Sequence, residues 1–334
     1  MKWPTTTVHI PAVGDQAAIA PLVISASRAT DIPAFHAEWL MNRLRAGYCA
    51  WKNPFNAKGR QYVAFNNCRV IGFWSKNPAP LLPYLPEIED MGIQFYFQFT
   101  LNDYTREGLE PNLPPLETRM ETFQNLAERY GRHRVVWRYD PIILGGGITV
   151  AEALDRIQAI ATTIAPHTEK LVFSFVDWYA KTRRELGKVD ASLRAPTTEE
   201  MEEIAAGLQQ INGSLTTPLK LATCAELTSL DRWNIAHNKC IDPALLVRLC
   251  PHDPDIARWY GMPPTQQHSL LPLIDTGKKN LKDTGQRKPC GCAPSKDIGA
   301  YNTCSHFCTY CYANQSRSAV TQRLRNTSTD SVAL

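Results

Sequence analysis

Six runs rich in apolar, β-branched and aromatic residues recur along the chain, at Leu22–Ser27, Val70–Ser75, Ile93–Leu101, Val135–Tyr139, Leu171–Val176 and Leu219–Cys224. Each has the length and composition of a strand. Segments with helical punctuation lie between them. Pro33–Ala46 opens with a first-turn proline and ends at Gly47, Leu116–Tyr130 ends at Gly131, Thr149–Ala165 stops before Pro166, and Thr198–Ile211 runs into Asn212-Gly213. These are helix start and stop signals. Strands alternating with helices predict parallel βα units, and the expected fold is α/β, a TIM-like and at least partial βα barrel. Tyr48 to Arg69 breaks the alternation and reads as a β insertion turning at Asn56-Ala57-Lys58-Gly59. No sequence repeat of fixed period accompanies the structural repetition.

Each strand is followed by a polar segment: Ser25–Asp31, Ser75–Pro78, Thr100–Asn102, Arg138–Pro141, Asp177 and Cys224–Glu226. Polar residues end strands wherever loops begin, but six in register converge on the C-terminal rim of a parallel barrel, where active sites are built. The rim candidates are Arg28, Asp31, Lys76, Asn102, Arg138, Asp140 and Asp177, with Asp140 and Asp177 able to manage protons. Each has an alternative reading as a structural ion pair. Gly145-Gly146-Gly147 reads as a flexible βα connection.

A chain of 334 residues with 44% hydrophobic content can bury one large core. The expected organisation is an N-terminal extension (1–20), a single barrel domain (21–315) carrying the insertion (48–69) and a cysteine-rich region (285–315), and a tail (316–334), with disorder only at the ends. Met1 to Ala20 has one lysine and no continuous apolar stretch, so neither a signal peptide nor a membrane anchor is expected, and the expected location is the cytoplasm. The net charge is +4. From Leu273 onward nine Lys/Arg stand against four Asp, an excess of +5, so the rest is near neutral. A basic C-terminal face suits a phosphate-bearing or nucleic-acid substrate, and equally a solvated tail.

The ten cysteines sharpen the picture, because five fall between Cys290 and Cys311. In a reducing cytoplasm such thiols are metal ligands, core residues or catalysts rather than disulfides. Cys304-Ser-His-Phe-Cys308-Thr-Tyr-Cys311 has the spacing C-x3-C-x2-C with an aromatic residue before the last cysteine. Three thiolates on one curved loop hold a [4Fe–4S] cubane with one iron left open to a small molecule. Zinc on these cysteines with His306 is the alternative. Cys290 and Cys292, with Cys224 and Cys240, form a second set that can close a tetrahedral metal or an auxiliary iron–sulfur cluster, Cys224 and Cys240 having the alternative reading of small buried core residues. Cys49, Cys68 and Cys250 read as core.

Cys304, Cys308 and Cys311 with Tyr310 resemble, position by position, the hallmark of the radical S-adenosylmethionine (SAM) enzymes. That resemblance implies SAM chelated by the open iron, reductive cleavage to a 5′-deoxyadenosyl radical, and an electron donor such as ferredoxin or flavodoxin. Arg28, Asp31, Lys76, Asn102, Arg138 and Tyr310 become candidates for binding SAM or substrate. The superfamily usually carries this motif after its first barrel strand, and here it lies about thirty residues from the end, which circular permutation accounts for. Ser295–Thr303 then supplies the cluster strand, with a helix through Ala313–Arg325. Ser75-Lys76, Thr100–Asn102, Glu110–Arg119 and Asp140–Ile142 resemble, in the same order, the spore-photoproduct-lyase-like branch. As a whole the sequence resembles a family of uncharacterised proteins with a C-terminal cysteine cluster like that of radical SAM enzymes, on Ser25–Phe35, Phe73–Pro78, Trp137–Ile142, Ser174–Asp177 and Gly285–Asn314. It departs from ordinary members in lacking a clear Gly-Gly-Glu, whose place Ser27–Asp31 takes under permutation. Permutation predicts a strand near Asp297–Asn302 beside Leu22–Ser27. The rival from another class is a non-catalytic iron–sulfur or zinc protein that carries electrons or binds nucleic acid.

Overall fold

A computed structural model describes residues 3–11, 13–53, 59–261 and 282–334. The turn expected at Asn56–Gly59 therefore lies, apart from Gly59, outside the described residues. Among these residues the strands are β1 (Thr5–Ile10), β2 (Gly14–Ile19), β3 (Val23–Ala26), β4 (Tyr48–Lys52), β5 (Arg60–Ala64), β6 (Val70–Ser75), β7 (Gln94–Thr100), β8 (Val135–Ile142), β9 (Lys170–Phe175), β10 (Lys220–Thr223), β11 (Ala236–His237) and β12 (Lys296–Asp297). The main sheet runs β11-β10-β9-β8-β7-β6-β3-β12, and all of its pairings are parallel. Neighbouring strands follow one another in sequence except at one edge, where β12, the last strand of the chain, lies beside β3. A smaller sheet, β1-β2-β5-β4, joins the N-terminal extension to the β insertion.

Side chains alternate across the main sheet, because successive residues of a strand point to opposite faces. One face carries Ile24, Ile71, Phe73, Phe95, Phe97, Trp137 and Phe173 into the main core, which the helices Ala37–Ala46, Leu116–Tyr130 and Val150–Ile164 cover. Phe73 and Phe97 stack at 5.1 Å between centroids, and each such buried side chain contributes about 1.5–3 kcal/mol. The other face starts apolar, with Val23, Val70 and Tyr96 packed against the helices Pro243–Leu249 and Pro254–Tyr260. Toward the strand C-termini this face turns polar, through buried Gln98, Arg138 and Ser174. Gly72 makes room for its cross-strand partner Tyr96, since a Cβ there would stand 2.9 Å from the tyrosine oxygen.

The helix expected over Pro33–Ala46 is two helices, Ile32–Phe35 and Ala37–Ala46. His36 separates them, and its Nε2 lies 2.9 Å from the carbonyl oxygen of Thr303. The break therefore serves the cysteine segment. The cluster strand is two residues, Lys296–Asp297, rather than Asp297–Asn302, and the helix after it begins at Arg317 rather than Ala313. The C-terminal tail, expected to be disordered, is docked. Val320 and Leu334 are buried, Ala50 N donates to Val332 O at 2.7 Å, and Trp39 Nε1 donates to Ser331 O at 2.7 Å. Among the described residues no helix is long and apolar enough to cross a membrane.

Candidate functional site

The cysteine segment is fixed to the end of β3 by side chains from both. Ser25 Oγ and Ser295 Oγ are 2.7 Å apart, and Arg28 N donates to Asp297 Oδ2 at 2.8 Å. Gly299 comes so close that a Cβ would lie 1.9 Å from Ser27 Oγ and 2.5 Å from Ser27 Cβ. Beyond it, Asn302 (φ 60°) and Phe307 (φ 54°) adopt left-handed backbone, which curls the segment into the loop bearing Cys304, Cys308 and Cys311. Asn314 Nδ2 donates to Cys304 O at 2.8 Å, Asn112 Nδ2 to Ser305 O at 2.8 Å, and Thr309 N to Leu109 O at 2.9 Å. Lys181 Nζ donates to the carbonyl oxygens of Cys311 and Asn314. The loop is thus tied to connections that follow β3, β7 and β9, at the C-terminal ends of the strands.

Asp31 is the anchor beneath this loop. Its Oδ1 accepts from Ala34 N at 3.0 Å and Ser75 Oγ at 2.7 Å. Its Oδ2 accepts from Lys76 N at 2.7 Å and lies 2.7 Å from His306 Nε2. With both oxygens so engaged, Asp31 positions the loop. The other nitrogen of His306, Nδ1, is buried and has no hydrogen-bond partner among the described residues, and neither has Asn314 Oδ1.

A continuous polar chain runs from the loop across the sheet. Tyr310 OH donates to Glu110 Oε1, which also accepts from Lys76 Nζ at 2.7 Å and Asn102 Nδ2 at 3.1 Å. Asn102 Oδ1 accepts from Asp140 N at 2.9 Å. The Asp140 carboxylate takes hydrogen bonds from Arg138 Nη2 and Ser174 Oγ. Burial opposes the charge on Lys76, but Glu110 and Cys308 outweigh it and raise its pKa. Burial likewise opposes the Asp140 charge, and Arg138 with Ser174 outweighs it, so its carboxyl lies below the usual range. Glu226 differs: burial, with Asp177 and Asp140 nearby, pushes it up to about 7 although Phe175 N donates to its Oε1 at 2.9 Å. Burial also raises the Cys304 thiol to about 12 and lifts Cys308 well above its ordinary value.

The second cysteine set is brought together from three parts of the chain. Cys224 Sγ lies 3.8 Å from Cys240 Sγ, Cys240 N donates to Cys292 Sγ at 3.2 Å, and a thiol hydrogen bond with Cys292 lowers Cys290 to about 7. Arg138 Nη1 donates to Cys240 Sγ at 3.0 Å. Cys49 and Cys68 are buried in the core as expected, and Cys250 is partly buried. Among the described residues no group of three or more His, Cys, Asp or Glu side chains has the geometry to chelate a single metal ion.

Lys76, Asn102, Arg138, Asp140 and Tyr310 of the sequence-derived candidates are joined in one network. Arg28 stacks on Trp74 at 5.0 Å and takes Tyr312 OH on its carbonyl oxygen at 2.6 Å. Asp177 stands apart as a half-exposed ion pair with Arg287, 2.6 Å from Oδ2 to Nη1. Of the basic C-terminal residues, Lys278 and Lys279 lie outside the described residues, and several of the others are engaged. Arg287 is paired with Asp177, Lys296 sits on the Trp51 ring at 3.4 Å, Arg317 lies over Phe307 and Arg323 binds Leu334 O. Glu110, Ser174 and Glu226 were not picked as site residues, although each lies in a stretch singled out above. Lys181 belongs to a helix, Ala180–Val189, that the apolar pattern does not reveal.

A family model described as Domain of unknown function (DUF1848) matches residues 23–313. No curated protein and no solved structure matches the chain.

Proposed function

The chain belongs to the DUF1848 family, and we propose that it is a radical SAM-type iron–sulfur enzyme. Cys304, Cys308 and Cys311 would hold a [4Fe–4S] cluster, and SAM would bind beside it. The observation that carries this reading is the seat of the three-cysteine loop. It is lashed to the C-terminal ends of parallel strands, where it meets Lys76, Asn102, Glu110 and Tyr310 in one buried network.

The donor set fits the group. Three thiols share one loop, and the buried, unpartnered His306 Nδ1 and Asn314 Oδ1 flank them. A cubane holds three such thiolates and leaves one iron open, whereas zinc would take a fourth ligand such as His306. Bound there, the cluster and SAM would supply an electron and a 5′-deoxyadenosyl radical for hydrogen abstraction.

The chain's own residues hold and prepare the site. Asp31 and Gly299 set the loop, Lys76 keeps Glu110 ionised, and Asn102 orients the Asp140 backbone. Arg138 and Ser174 hold Asp140 charged, while Glu226, pushed up to about 7, exchanges its proton near neutral pH. A permanent carboxylate and a carboxyl that titrates near neutrality thus lie near each other, the arrangement that suits proton transfer to or from a bound molecule. Lys76, Asn102, Arg138 and Tyr310, with Arg28, are the groups assigned to SAM or substrate. The sheet is read as a partial barrel in which the cluster strand of ordinary members has moved from the start of the chain to its end, since β12 precedes β3 in space and follows it in sequence. The ten free cysteines suit a reducing cytoplasm.

Electron paramagnetic resonance of the reduced, reconstituted protein tests the reading. Addition of SAM should change the spectrum of the cluster on Cys304, Cys308 and Cys311. A cluster indifferent to SAM would leave an electron carrier instead.

A further inference from the structure

Four thiols that the proposed reaction does not use lie side by side on the face of the sheet that carries Val23, Val70 and Tyr96. They come from the end of β10 (Cys224), from the segment after β11 (Cys240) and from the segment before β12 (Cys290 and Cys292). We propose that Cys224, Cys240, Cys290 and Cys292 hold a second iron–sulfur cluster of the two-iron type, closed by four thiolates. The proposal rests on residues outside the three-cysteine loop and does not depend on the reading of that loop.

The spacing of the sulfurs carries it. A tetrahedral metal with bonds of about 2.3 Å to sulfur sets neighbouring thiolates about 3.8 Å apart, and Cys224 Sγ and Cys240 Sγ are 3.8 Å apart. Cys290 and Cys292 form a second adjoining pair in Cys290-Gly-Cys292, their thiols joined by a hydrogen bond. The Cys240 and Cys292 thiols are joined in the same way, and Cys240 N donates to Cys292 Sγ at 3.2 Å, so the four thiols form one row in the order Cys224, Cys240, Cys292, Cys290. Such a row offers two thiolates at each end, one end for each of two tetrahedral irons bridged by sulfide. One ion would need all four to converge, and no group of three does so among the described residues.

The surrounding charge agrees. Four thiolates with two irons and two sulfides are net negative, and such a group needs buried cations and N–H donors. Arg138 Nη1 and Asn238 Nδ2 reach Cys240 Sγ at 3.0 and 3.3 Å. Arg28 acts on Cys240 and Cys292 as the nearby cation, and its Nη2 is buried with no partner among the described residues. Leaving such a donor unsatisfied is costly, and a bound anionic cluster removes that cost. With four protein ligands no iron is open, so this centre would carry an electron rather than chelate a substrate.

The test is anaerobic reconstitution of the full-length protein with iron and sulfide, followed by metal and sulfide analysis and Mössbauer spectroscopy. A Cys304→Ala/Cys308→Ala/Cys311→Ala variant should retain about two irons and two sulfides per chain. Zinc, no metal, or a four-iron count in that variant would overturn the proposal. A Cys290→Ser/Cys292→Ser variant should lose about two irons relative to the unmodified chain. Unchanged iron content there would overturn the proposal even if the triple variant failed to fold.

Discussion

Lys76 and Glu110 show how a single residue serves both the fold and the site. Glu110 is almost wholly buried, and Lys76 supplies the ammonium that holds it charged beneath Tyr310. Removing one partner of such a pair leaves an uncompensated buried charge, at a cost of about 3–5 kcal/mol. Lys76→Met should lower stability by that amount in urea denaturation, and Lys76→Met/Glu110→Gln should recover a good part of it. Equal losses in both variants would argue against the pairing. Glu226 carries a pH signature. Burial pushes its carboxyl up to about 7, so the fold favours the neutral form. The stability this confers is full below the ordinary carboxylate pKa and is lost as pH rises through about 7. Between about pH 5 and 8 the unmodified protein should lose about 3 kcal/mol relative to Glu226→Gln, and parallel pH profiles would refute the shift. At this scale the sequence exposed the residue types but not their partners. Lys76, Asn102, Asp140 and Tyr310 were marked by their places after strands and in the motif. Nothing local marked Glu110 as their meeting point, because that role arises from a contact between positions 200 residues apart.

Among the elements, β12 is the smallest and positions the most chemistry. Two residues pair with β3, and the joint is completed by Gly299 pressed against Ser27. Gly299→Ala forces a methyl into space held by Ser27, and overpacking of this kind costs about 1–3 kcal/mol. The variant should unfold at lower temperature and take up less iron on reconstitution, and wild-type values for both would show that the joint is not needed. The six strands of the repeat were legible because parallel strands covered on both sides read as apolar runs. The helix after β3 was legible in extent but not in its break at His36, which is set by the distant Thr303 carbonyl. The cluster strand was overlong in expectation because its neighbouring residues are ordered by side-chain bonds, among them Ser25–Ser295 and Arg28–Asp297, rather than by a ladder. β1 and β2 escaped because their residues alternate between exposed and partly buried and form no apolar run.

Over the whole molecule, the order of strands links the fold to the proposed chemistry. β12, late in the sequence, pairs with β3, so the segment bearing the last cysteines returns to the edge beside the first main-sheet strand. Alternation of strand and helix was enough to anticipate that sheet. The docking of residues 316–334 was not, since a short basic helix looks like a tail until Trp39 and β4 are seen to hold it. The central claim is that the loop at Cys304, Cys308 and Cys311 supports reductive cleavage of SAM. The direct measurement is 5′-deoxyadenosine formation by the anaerobically reconstituted protein given SAM and a strong reductant. Slow formation by the unmodified chain, abolished in the Cys304→Ala/Cys308→Ala/Cys311→Ala variant, is the predicted result. Equal formation by that variant, or none by an unmodified chain shown to carry its reduced cluster, would contradict the account.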